Sequence, residues 1–411
     1  MSSPLLLDQQ KNRAIIDFMR ALGIILVICF HVVVGVASLL ESDAMPQYID
    51  AIPAALNILW QAQGSELVFL FSGFLLSYLL LRELKLKGRI DLRTFYVRRA
   101  ARIVPLYLIG LALYALMRKW TLSDLLFNLL FISKLADART IIPVGWSLEV
   151  LVQSFLILPL LAIAFVRSRI PVFLTLVAVA LSLAARYYAL VVDPESYRVP
   201  IHMLLAGFET PETIDDLYYH LGYRATPFLL GFLMAYLVLH KTEAFERLFG
   251  GRLSLLLFLP LALLIIGFAS FLPVQDPASW VYAAMPVEQF TFWYWVLQRF
   301  FFAIGVCLLS FVLWFNHSGM FAPFVKLAQL RMWHTVAENI YSIYLFHPLF
   351  LIPAAVIGFR AYKVEEVTSV HILELLTTMV VAAILSTLLG KVLTRYVEAP
   401  SRGWIRNRFG R

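Results

Sequence analysis

The sequence is short of charge. Only 15% of its 411 residues are charged, whereas 61% are hydrophobic and the mean hydropathy is +0.81. Soluble globular domains carry about 25% charged and about 45–50% apolar residues. A chain of this length cannot hide so much apolar surface in one aqueous core. The composition therefore excludes a soluble globular protein and predicts one that has lipid as its solvent.

Cysteine, metal-binding spacings and nucleotide-binding motifs are also scarce. The two cysteines, Cys29 and Cys307, both lie in apolar stretches, which argues against disulfide or metal-ligand roles. No histidine and carboxylate pair has convincing metal spacing, so we expect no metal site. The sequence contains no P-loop, GxGxxG or GxSxG motif, and we expect no nucleic-acid partner.

Long apolar runs are what the sequence does have. A membrane span needs ~20 mostly apolar residues, and lipid offers the backbone no hydrogen-bond partner, so each span should be a helix. We predict an all-α fold, a polytopic transmembrane helical bundle of about ten spans. The amphipathic segment 121–135 is too short and polar to span comfortably, and we predict that it is interfacial or re-entrant. The predicted spans are roughly 14–40, 56–81, 103–117, 141–166, 170–192, 224–239, 253–273, 293–315, 336–359 and 371–394.

The distribution of Lys and Arg predicts the orientation. With the amino terminus in the cytoplasm, most of the 34 basic residues fall in cytoplasmic segments, and the outer loops are acidic. The exception is 118–140, which carries basic residues on the predicted outer side. We therefore expect both termini in the cytoplasm and a multi-pass protein of the cytoplasmic (inner) membrane. Residues 1–411 should form a single integral membrane domain without a separate soluble domain.

His31 and Arg20 in the first span are the sharpest functional candidates, because ionisable residues inside a membrane are costly. They are 11 residues apart, which is three helical turns, so they share a face and lie ~16 Å apart along the axis. An extended phosphopantetheine arm has a similar length. A cation near the surface could hold CoA phosphates while a thioester reaches the imidazole. Alternatively, His31 hydrogen-bonds a neighbouring helix and Arg20 reaches lipid phosphate.

A basic cluster lies at the cytoplasmic start of the third span. Arg98, Arg99 and Arg102 crowd the stretch RTFYVRRAARIVPLY. Arginine binds phosphate through two parallel hydrogen bonds, so these residues could hold a phosphate-bearing ligand. The alternative is that they contact lipid headgroups, as basic residues beside spans commonly do.

Two buried carboxylates are further candidates. Glu66, in the second span, could orient a histidine or bind a sugar hydroxyl, but pairing with Arg186 or Arg299 is favoured. Glu149 lies near the start of the fourth span, three residues after Trp146. Trp146 could simply be an interface anchor. An unpaired carboxylate at the position of Glu149 would be costly, so a role in the site is predicted for it.

The ninth span carries Tyr344 and His347, which are three residues apart and can face one cavity. A polar packing seam between helices is an equally good interpretation of these two residues.

Taken together, these segments resemble the acyltransferase 3 family of integral membrane acyltransferases. Asp17, Arg20 and His31 resemble its opening motif, an Asp-x-x-Arg followed by ten residues and a histidine. The resemblance continues, in the expected order, over nearly the whole chain. The other segments that carry it are VFLFSGFLLSYLL with Ser72 and Gly73, Arg98-Arg99-x-x-Arg102 ending in Pro105, WSLEVLVQSFLILP, NIYSIYLFHPL, and YVEAPSRGW with Glu398 and Pro400.

One departure concerns Glu149. The family often has a second glutamate two residues later, where this chain has Leu151. Any role of that second carboxylate is therefore in doubt here.

The resemblance implies an O-acyltransferase that moves an acyl group, commonly acetyl, from cytoplasmic acyl-CoA to a hydroxyl of a cell-envelope carbohydrate or glycoside. Acyl-CoA is then a co-substrate, and no permanently bound cofactor is expected. Expected partners are the carbohydrate acceptor, the lipid bilayer and enzymes of envelope-glycan biosynthesis.

The predicted roles follow from the resemblance and the spacing. Arg20 and the three arginines Arg98, Arg99 and Arg102 hold the CoA phosphates, with Asp17 fixing the rotamer of Arg20. His31 is the general base on the acceptor hydroxyl, and Glu149 is the second residue expected to be catalytic, without a defined role. Transient transfer of the acyl group onto the protein remains an alternative. Substrate or structural support is expected from Asp17, Glu66, Ser72, Trp146, Tyr344 and His347.

A transporter or flippase for a lipid-linked sugar is the main rival, because many spans with buried charges suit it equally. Against it, the sequence has no repeated half. A membrane sensor would require a soluble signalling domain, and we find none in the sequence.

Overall fold

The fold was analysed in a computed structural model that describes residues 6–38, 45–205, 209–360 and 370–409. The chain is 83% helical, and the described residues contain no strand. The all-α prediction is therefore confirmed. Eleven helices that build the bundle are numbered here in chain order: α1 (Gln10–Ala37), α2 (Gly64–Lys87), α3 (Leu92–Met117), α4 (Gly145–Arg167), α5 (Pro171–Val192), α6 (Leu221–His240), α7 (Leu259–Ser270), α8 (Val287–Phe315), α9 (Ile340–Phe346), α10 (Leu351–Phe359) and α11 (Ile372–Leu393).

Shorter elements connect these helices. The α-helices among them are Met45–Ala51, Leu122–Leu129, Ile201–Leu205, Glu212–Tyr219, Thr242–Phe249, Trp280–Ala284, Ala322–Ala328, Arg331–Glu338 and Ala399–Phe409. The 3₁₀ helices are Leu6–Asp8, Ala54–Trp60, Pro194–Tyr197, Gly319–Phe321 and His347–Phe350, and the π-helices are Ser254–Phe258 and Thr394–Glu398.

Nine helical stretches among the described residues are long and apolar enough to cross a membrane, and a bent pair, Thr242–Phe249 with Ser254–Ser270, provides a possible tenth crossing. The hydrogen bonds show that this tenth stretch runs from one end of the bundle to the other. Ser254 accepts a hydrogen bond from Asn316, whose carbonyl oxygen also accepts one from Lys11 near the start of α1. At the other end, Ser270 donates to Gln63 just before α2. The prediction of about ten spans is therefore confirmed as a polytopic helical bundle.

We call the end of the bundle where α1 begins the inner end, since it is the predicted cytoplasmic side, and the opposite end the outer end. Ten crossings return the chain to the inner end, where both termini were predicted to lie. The structure contains no membrane, so the cytoplasmic assignment itself stays a prediction.

Several predicted span boundaries were wrong. The third span was placed at 103–117, but α3 begins at Leu92, because Asp91 caps it by accepting the Thr94 backbone N–H at 3.0 Å. The polar arginines of its first turns had been excluded from the span. The second span was predicted from residue 56, yet 54–60 is a 3₁₀ helix and α2 begins at Gly64. The ninth was predicted as one helix over 336–359.

That ninth span is instead broken twice, at Asn339 and at His347, where a 3₁₀ turn containing Pro348 separates α9 from α10. The first span ends at Ala37 rather than at residue 40, and residues 39–40 lie outside the described ranges. The sixth was predicted over 224–239, but α6 begins at Leu221 and the shorter helix Glu212–Tyr219 precedes it.

The amphipathic segment 121–135 contains a helix of only eight residues, Leu122–Leu129. Leu122, Leu126 and Leu130 are exposed on it. An eight-residue helix rises ~12 Å, too little to cross a bilayer, so this segment lies at the outer end without spanning.

Helix α2 is the centre of the bundle and packs closely against α1 and α6. Gly64 faces the backbone of Gly23 and Val27 in α1, and an added Cβ would lie only 2.5 Å from the Val27 nitrogen. Gly231 in α6 likewise lies against Leu70 and Phe74. Glycine permits this approach because it lacks a side chain. The close packing fixes α1, α2 and α6 as the frame on which the polar residues of the interior are held.

Candidate active site

A central cavity of about 260 Å³ lies beside α2 and is bounded by residues of α1, α3, α4 and α9. It extends from Ser65 near the outer end of α2 to Leu79 near its inner end. These residues are 14 positions apart, so the cavity runs ~21 Å along the helix axis. Its wall is mainly apolar, with polar groups concentrated at its two ends. The lining residues are Arg20, Ser65, Val68, Phe69, Ser72, Leu75, Leu76, Leu79, Arg99, Arg102, Ile103, Ser147, Leu148, Leu151, Phe155, Ile340, Tyr341 and Tyr344.

Three arginines form the inner end of the central cavity. Arg20 comes from α1, and Arg99 and Arg102 come from successive turns of α3. The Asp17 carboxylate lies one turn before Arg20, with 3.6 Å between Oδ1 and the Arg20 Nη1 atom. The Nε atom of Arg99 is buried and has no hydrogen-bond partner. The structure thus brings the predicted phosphate-binding residues Arg20, Arg99 and Arg102 to one place, and it leaves at least one donor there unused.

A second cavity, of about 410 Å³, adjoins the first at the inner end. We call it the basic cavity, because four of its lining residues are arginines. Arg99 and Arg102 line both cavities, so the two lie on either side of the same arginines. The basic cavity is lined by Arg98, Arg99, Ala101, Arg102, Ala399, Arg402 and Gly403.

Glu398 holds the carboxyl-terminal segment against this cavity. Its side chain is fully buried, and Oε1 lies 3.3 Å from Arg102 Nε and 3.7 Å from Arg402 Nη1. The π-helical turn Thr394–Glu398 precedes the helix Ala399–Phe409. Such turns insert an extra residue into a helix and often occur at functional sites. The sequence had marked Glu398 as part of a late motif without a role, and Arg402 as a candidate was missed.

At the outer end of the central cavity, the hydroxyl groups of Ser147 and Tyr344 form a short hydrogen bond with each other. Ser147 stands in the first turn of α4 and Tyr344 in α9, so this contact joins two helices that are far apart in sequence. Ser72, predicted as support, also lines the cavity. Trp146 does not line it. Its indole packs against Tyr218, with ring centroids 4.7 Å apart. Trp146 therefore contributes to the packing of the outer end of the bundle beside the cavity.

His31 is not among the residues that line the central cavity. Its ring instead packs against His347, with centroids 4.9 Å apart, and His347 in turn packs against Tyr344 at 5.7 Å. His31 is therefore connected to the outer end of the cavity through His347 and Tyr344. The expectation that Arg20 and His31 both line one cavity holds for Arg20 only, because the His31 ring packs against His347 instead.

The hydrogen bonds of the two histidines determine which nitrogens carry protons. His347 Nδ1 lies 2.7 Å from the Tyr344 carbonyl oxygen and must donate to it, so its Nε2 is a free acceptor. His31 Nδ1 lies 2.8 Å from the Val27 carbonyl oxygen and 3.4 Å from His347 Nε2, and its N–H can serve both. In this neutral arrangement, Nε2 of His31 is left unprotonated and available as a base.

Glu149, the other predicted catalytic residue, is turned away from the central cavity. One carboxylate oxygen accepts a short hydrogen bond from the Ser133 hydroxyl, and the other accepts the Lys134 backbone N–H at 3.1 Å. Its buried carboxylate therefore anchors the segment that follows the helix Leu122–Leu129. Leu151, which stands where the family often has a second glutamate, lines the cavity as an apolar side chain.

Glu66 is buried in an ion-pair cluster at the outer end. Its Oε1 atom lies 2.7 Å from Arg299 Nη1 and 2.7 Å from Arg224 Nη1. Arg299 was one of the two partners that the sequence favoured. Arg224 was missed, although a charged residue inside an apolar span is itself a signal of function. Arg186, the other favoured partner, donates instead to the backbone carbonyls of Leu217, Tyr223 and Trp295.

Asp17 has a second partner at the inner end. His334 donates from Nδ1 to Asp17 Oδ2 at 2.8 Å, and its Nε2 lies 3.1 Å from Glu338 Oε1. The hydrogen bond to Asp17 and the negative charges of Asp17 and Glu338 raise the pKa of His334 above its ordinary value of 6.5. The sequence places His334 in a loop or at a span end and predicts only a solvated or interfacial role for it, because nothing in the sequence indicates that its helix packs against α1.

The family comparison supports the interpretation of this interior as an enzyme site. The model of the acyltransferase 3 family, described as an acyltransferase domain, matches residues 13–395, nearly the whole chain. The protein therefore belongs to the acyltransferase 3 family and is a multi-pass membrane acyltransferase. No significant match was found among curated proteins or solved structures.

Proposed function

We propose that this protein is an O-acyltransferase that uses acyl-CoA from the cytoplasm and delivers the acyl group to a hydroxyl of a carbohydrate. The observation that carries the proposal is the pair of adjacent cavities. The basic cavity at the inner end shares Arg99 and Arg102 with the mainly apolar central cavity, whose lining includes Ser147 and Tyr344 at the outer end. Acyl-CoA has the matching shape, with a polyanionic nucleotide head and a long, slender arm.

The nucleotide phosphates would occupy the basic cavity. Arg98, Arg99, Arg102 and Arg402 surround it, and guanidinium groups bind phosphate oxygens in pairs. The unused, buried Nε–H of Arg99 is a donor that a phosphate oxygen could satisfy. Arg20, held beside Asp17, would meet the phosphate nearest to the channel. Lipid phosphate is a weaker candidate ligand, since the basic cavity leads into the protein interior.

The pantetheine arm would lie in the central cavity. The ~21 Å that this cavity covers along α2 is close to the length of the extended arm and its acyl group. Apolar side chains such as Leu76, Leu148 and Phe155 line the middle of the channel. The thioester would then lie near Ser147 and Tyr344, one residue layer away from His347 and His31.

We assign His31 as the general base. Its Nε2 atom takes the proton of the acceptor hydroxyl, and the oxygen attacks the carbonyl carbon of the thioester. The carbon–sulfur bond breaks, the sulfur leaves as a thiolate, and the proton passes from His31 to it, which yields free CoA and an ester. Because His31 reaches the cavity only through His347 and Tyr344, the side chains of both residues must move aside before this step.

The acceptor and the membrane follow from the resemblance and the orientation. The carbohydrate would approach from the outer end, where Trp146 and Tyr218 lie, and the protein would reside in the cytoplasmic membrane with the basic cavity on the cytoplasmic side. An acetyl group suits the narrow outer end of the channel best, because the bulky side chains of Phe69 and Tyr344 line it.

The proposed use of acyl-CoA as donor can be tested with purified protein in lipid nanodiscs. Calorimetry should detect binding of acetyl-CoA, and addition of Ellman's reagent should reveal CoA thiol released in the presence of an acceptor glycan. In cells, envelope glycans from a deletion strain carrying wild type or His31→Ala should differ by the ester in their masses. Wild-type protein that neither binds acetyl-CoA nor releases thiol would overturn the proposal.

A further inference from the structure

Three arginines are buried together at the outer end of the bundle with only one carboxylate. The side chains of Arg224 and Glu66 are each 1% exposed, and that of Arg299 is 11% exposed. Arg186 lies in the same region and is buried as well. Among the ion pairs of the described residues, Glu66 is the sole carboxylate within 4.0 Å of Arg224 and Arg299, and none is within that distance of Arg186. The cluster therefore carries an excess of two positive charges, and uncompensated charge in a low-dielectric interior is costly.

The hydrogen-bonding capacity of the cluster is only partly used. Backbone carbonyl oxygens accept from Arg186 on Nε, Nη1 and Nη2, so this residue is structurally satisfied. Arg224 differs, because its Nε is buried and has no acceptor. The Oε2 atom of Glu66 is likewise buried and has no donor. One positive donor and one carboxylate acceptor are thus left without partners, although each side chain is 99% buried.

The cluster adjoins the outer end of the central cavity. Arg224 donates from Nη2 to the Ser65 hydroxyl at 3.1 Å, and Ser65 lines that cavity. The Arg224 guanidinium also lies 5.3 Å from the ring centre of Phe69, another lining residue, and 5.2 Å from that of Tyr218. A molecule at the outer end of the cavity would lie against Ser65 and Phe69, the two lining residues that contact Arg224, so a shift of these side chains would expose Arg224 and Glu66 to it.

We propose that Arg224, Arg299 and Glu66 form a subsite for an acceptor that carries an oxyanion, a carboxylate or a phosphate, next to sugar hydroxyl groups. The oxyanion accepts from the unused Nε of Arg224 and offsets the excess charge of the cluster. A hydroxyl of the same sugar donates to Oε2 of Glu66. A sugar acid or a sugar phosphate supplies both groups at once, whereas a neutral sugar supplies only the hydroxyl.

This inference deepens the proposed function and rests on it, since it names the class of acceptor. A phospholipid headgroup is the other source of the same oxyanion chemistry. The two sources differ in two respects that can be measured. A headgroup brings no sugar ring, and it is present in the bilayer at all times.

The test measures the thermal unfolding midpoint of the purified full-length protein with glucuronate, glucose 1-phosphate or glucose. The measurements are made in nanodiscs of phosphatidylcholine, with and without phosphatidylglycerol. Glucuronate and glucose 1-phosphate should raise the midpoint and glucose should not, at matched ionic strength and in both lipid compositions. Equal shifts from glucose and glucuronate, or shifts abolished by phosphatidylglycerol, overturn the proposal.

Variants identify the residue. Arg224→Gln should weaken the apparent affinity for glucuronate at least about tenfold, since it removes a charged hydrogen-bond donor. Arg118→Gln is the matched control, because Arg118 is an outer-end arginine outside the cluster that donates to the carbonyls of Thr140 and Ile141, and its shift should equal that of wild type. Retained affinity in Arg224→Gln overturns the assignment.

Each sample is also titrated with acetyl-CoA, which binds at the opposite end. A midpoint shift with acetyl-CoA proves that a variant is folded and tests the proposed donor separately from the acceptor. Should Arg224→Gln fail to fold, the double variant Glu66→Gln/Arg224→Gln, which keeps the local charge balance, replaces it. In wild-type protein, the comparison of glucuronate with glucose decides the question in either case.

Discussion

His31 Nδ1 and His347 Nε2 lie 3.4 Å apart, although the two residues are 316 positions apart in sequence, and their contact joins α1 to the 3₁₀ turn His347–Phe350. The contact orients the His31 ring. His347 donates a hydrogen bond from Nδ1 to the Tyr344 carbonyl oxygen, so its Nε2 can only accept one. His347 is therefore a positioning residue for the proposed base, and it belongs to the break between α9 and α10 rather than to a regular helix.

Removal of His31 should abolish transfer while leaving donor binding intact. His31→Ala is expected to lower kcat by about 10²–10⁴-fold, the usual contribution of a general base. The dissociation constant for acetyl-CoA should stay close to wild type, since His31 does not line the central cavity. Single-turnover transfer and calorimetry measure the two quantities. The matched control is His240→Gln at the inner end of α6, which should transfer normally, and full activity in His31→Ala would remove the proposed base.

The basic cavity should control the KM for the donor. Arg402→Gln is expected to raise the KM for acetyl-CoA by about tenfold or more with little change in kcat, because a hydrogen bond to a charged group contributes ~1.5–3 kcal/mol. The control is Arg247→Gln. Arg247 is exposed at the same end and donates to the backbone carbonyl oxygen of Glu243. Initial rates over a range of acetyl-CoA concentrations give both constants. An unchanged KM in Arg402→Gln contradicts the assignment of the nucleotide site.

Stability should depend on pH through His334. Asp17 and Glu338 raise the pKa of His334 above its ordinary value of 6.5. Below pH 6.5 the charged imidazole therefore stabilises the folded protein, and this contribution is lost as the pH rises through the raised pKa of the folded state. His334→Gln should therefore destabilise the protein more at about pH 6 than at about pH 8, the two sides of this titration. Thermal unfolding at both pH values, with the wild type alongside, checks the sign. A larger effect at the higher pH contradicts the proposed pairing.

The contact of α2 with α1 should be sensitive to a single methyl group. Gly64→Ala places a Cβ against the backbone of Gly23 and Val27, neither of which can move without shifting a helix. We expect a loss of about 1–3 kcal/mol in the free energy of unfolding. Gly35→Ala in α1, the partner helix in this contact, is the control, because nothing lies within 4 Å of its added Cβ. Detergent-induced unfolding of both variants provides the comparison, and equal stabilities would show that the helices can separate.

The sequence predicts the bundle well, because hydropathy and the positions of Lys and Arg are local properties. Hydropathy decides which segments partition into lipid, and Lys and Arg decide which ends face the cytoplasm. Breaks inside a span are harder to predict. Pro348 marks one break in the ninth span, but the interruption at Asn339 and the π-helical turn Thr394–Glu398 depend on packing between helices.

The candidate site divides in the same way. The spacing of Arg99 and Arg102 on α3 is enough to predict that they share a face, and the structure adds Arg20 to them. The surroundings of Glu149 could not be predicted, because its partners Ser133 and Lys134 belong to an irregular segment whose path is set by tertiary contacts. The position of Tyr344 between the cavity and His31 is likewise a matter of side-chain direction, which spacing along one helix does not reveal.

The helix Ala399–Phe409 contributes Ala399, Arg402 and Gly403, all from its first turns, to the wall of the basic cavity. The proposed donor site therefore depends on a segment that follows α11, the last of the numbered helices. This has a practical consequence for anyone who expresses the protein. A truncation that removes this helix would remove Arg402 and Gly403 from the cavity wall and should weaken binding of the proposed donor, so variants made for binding studies should keep the helix intact.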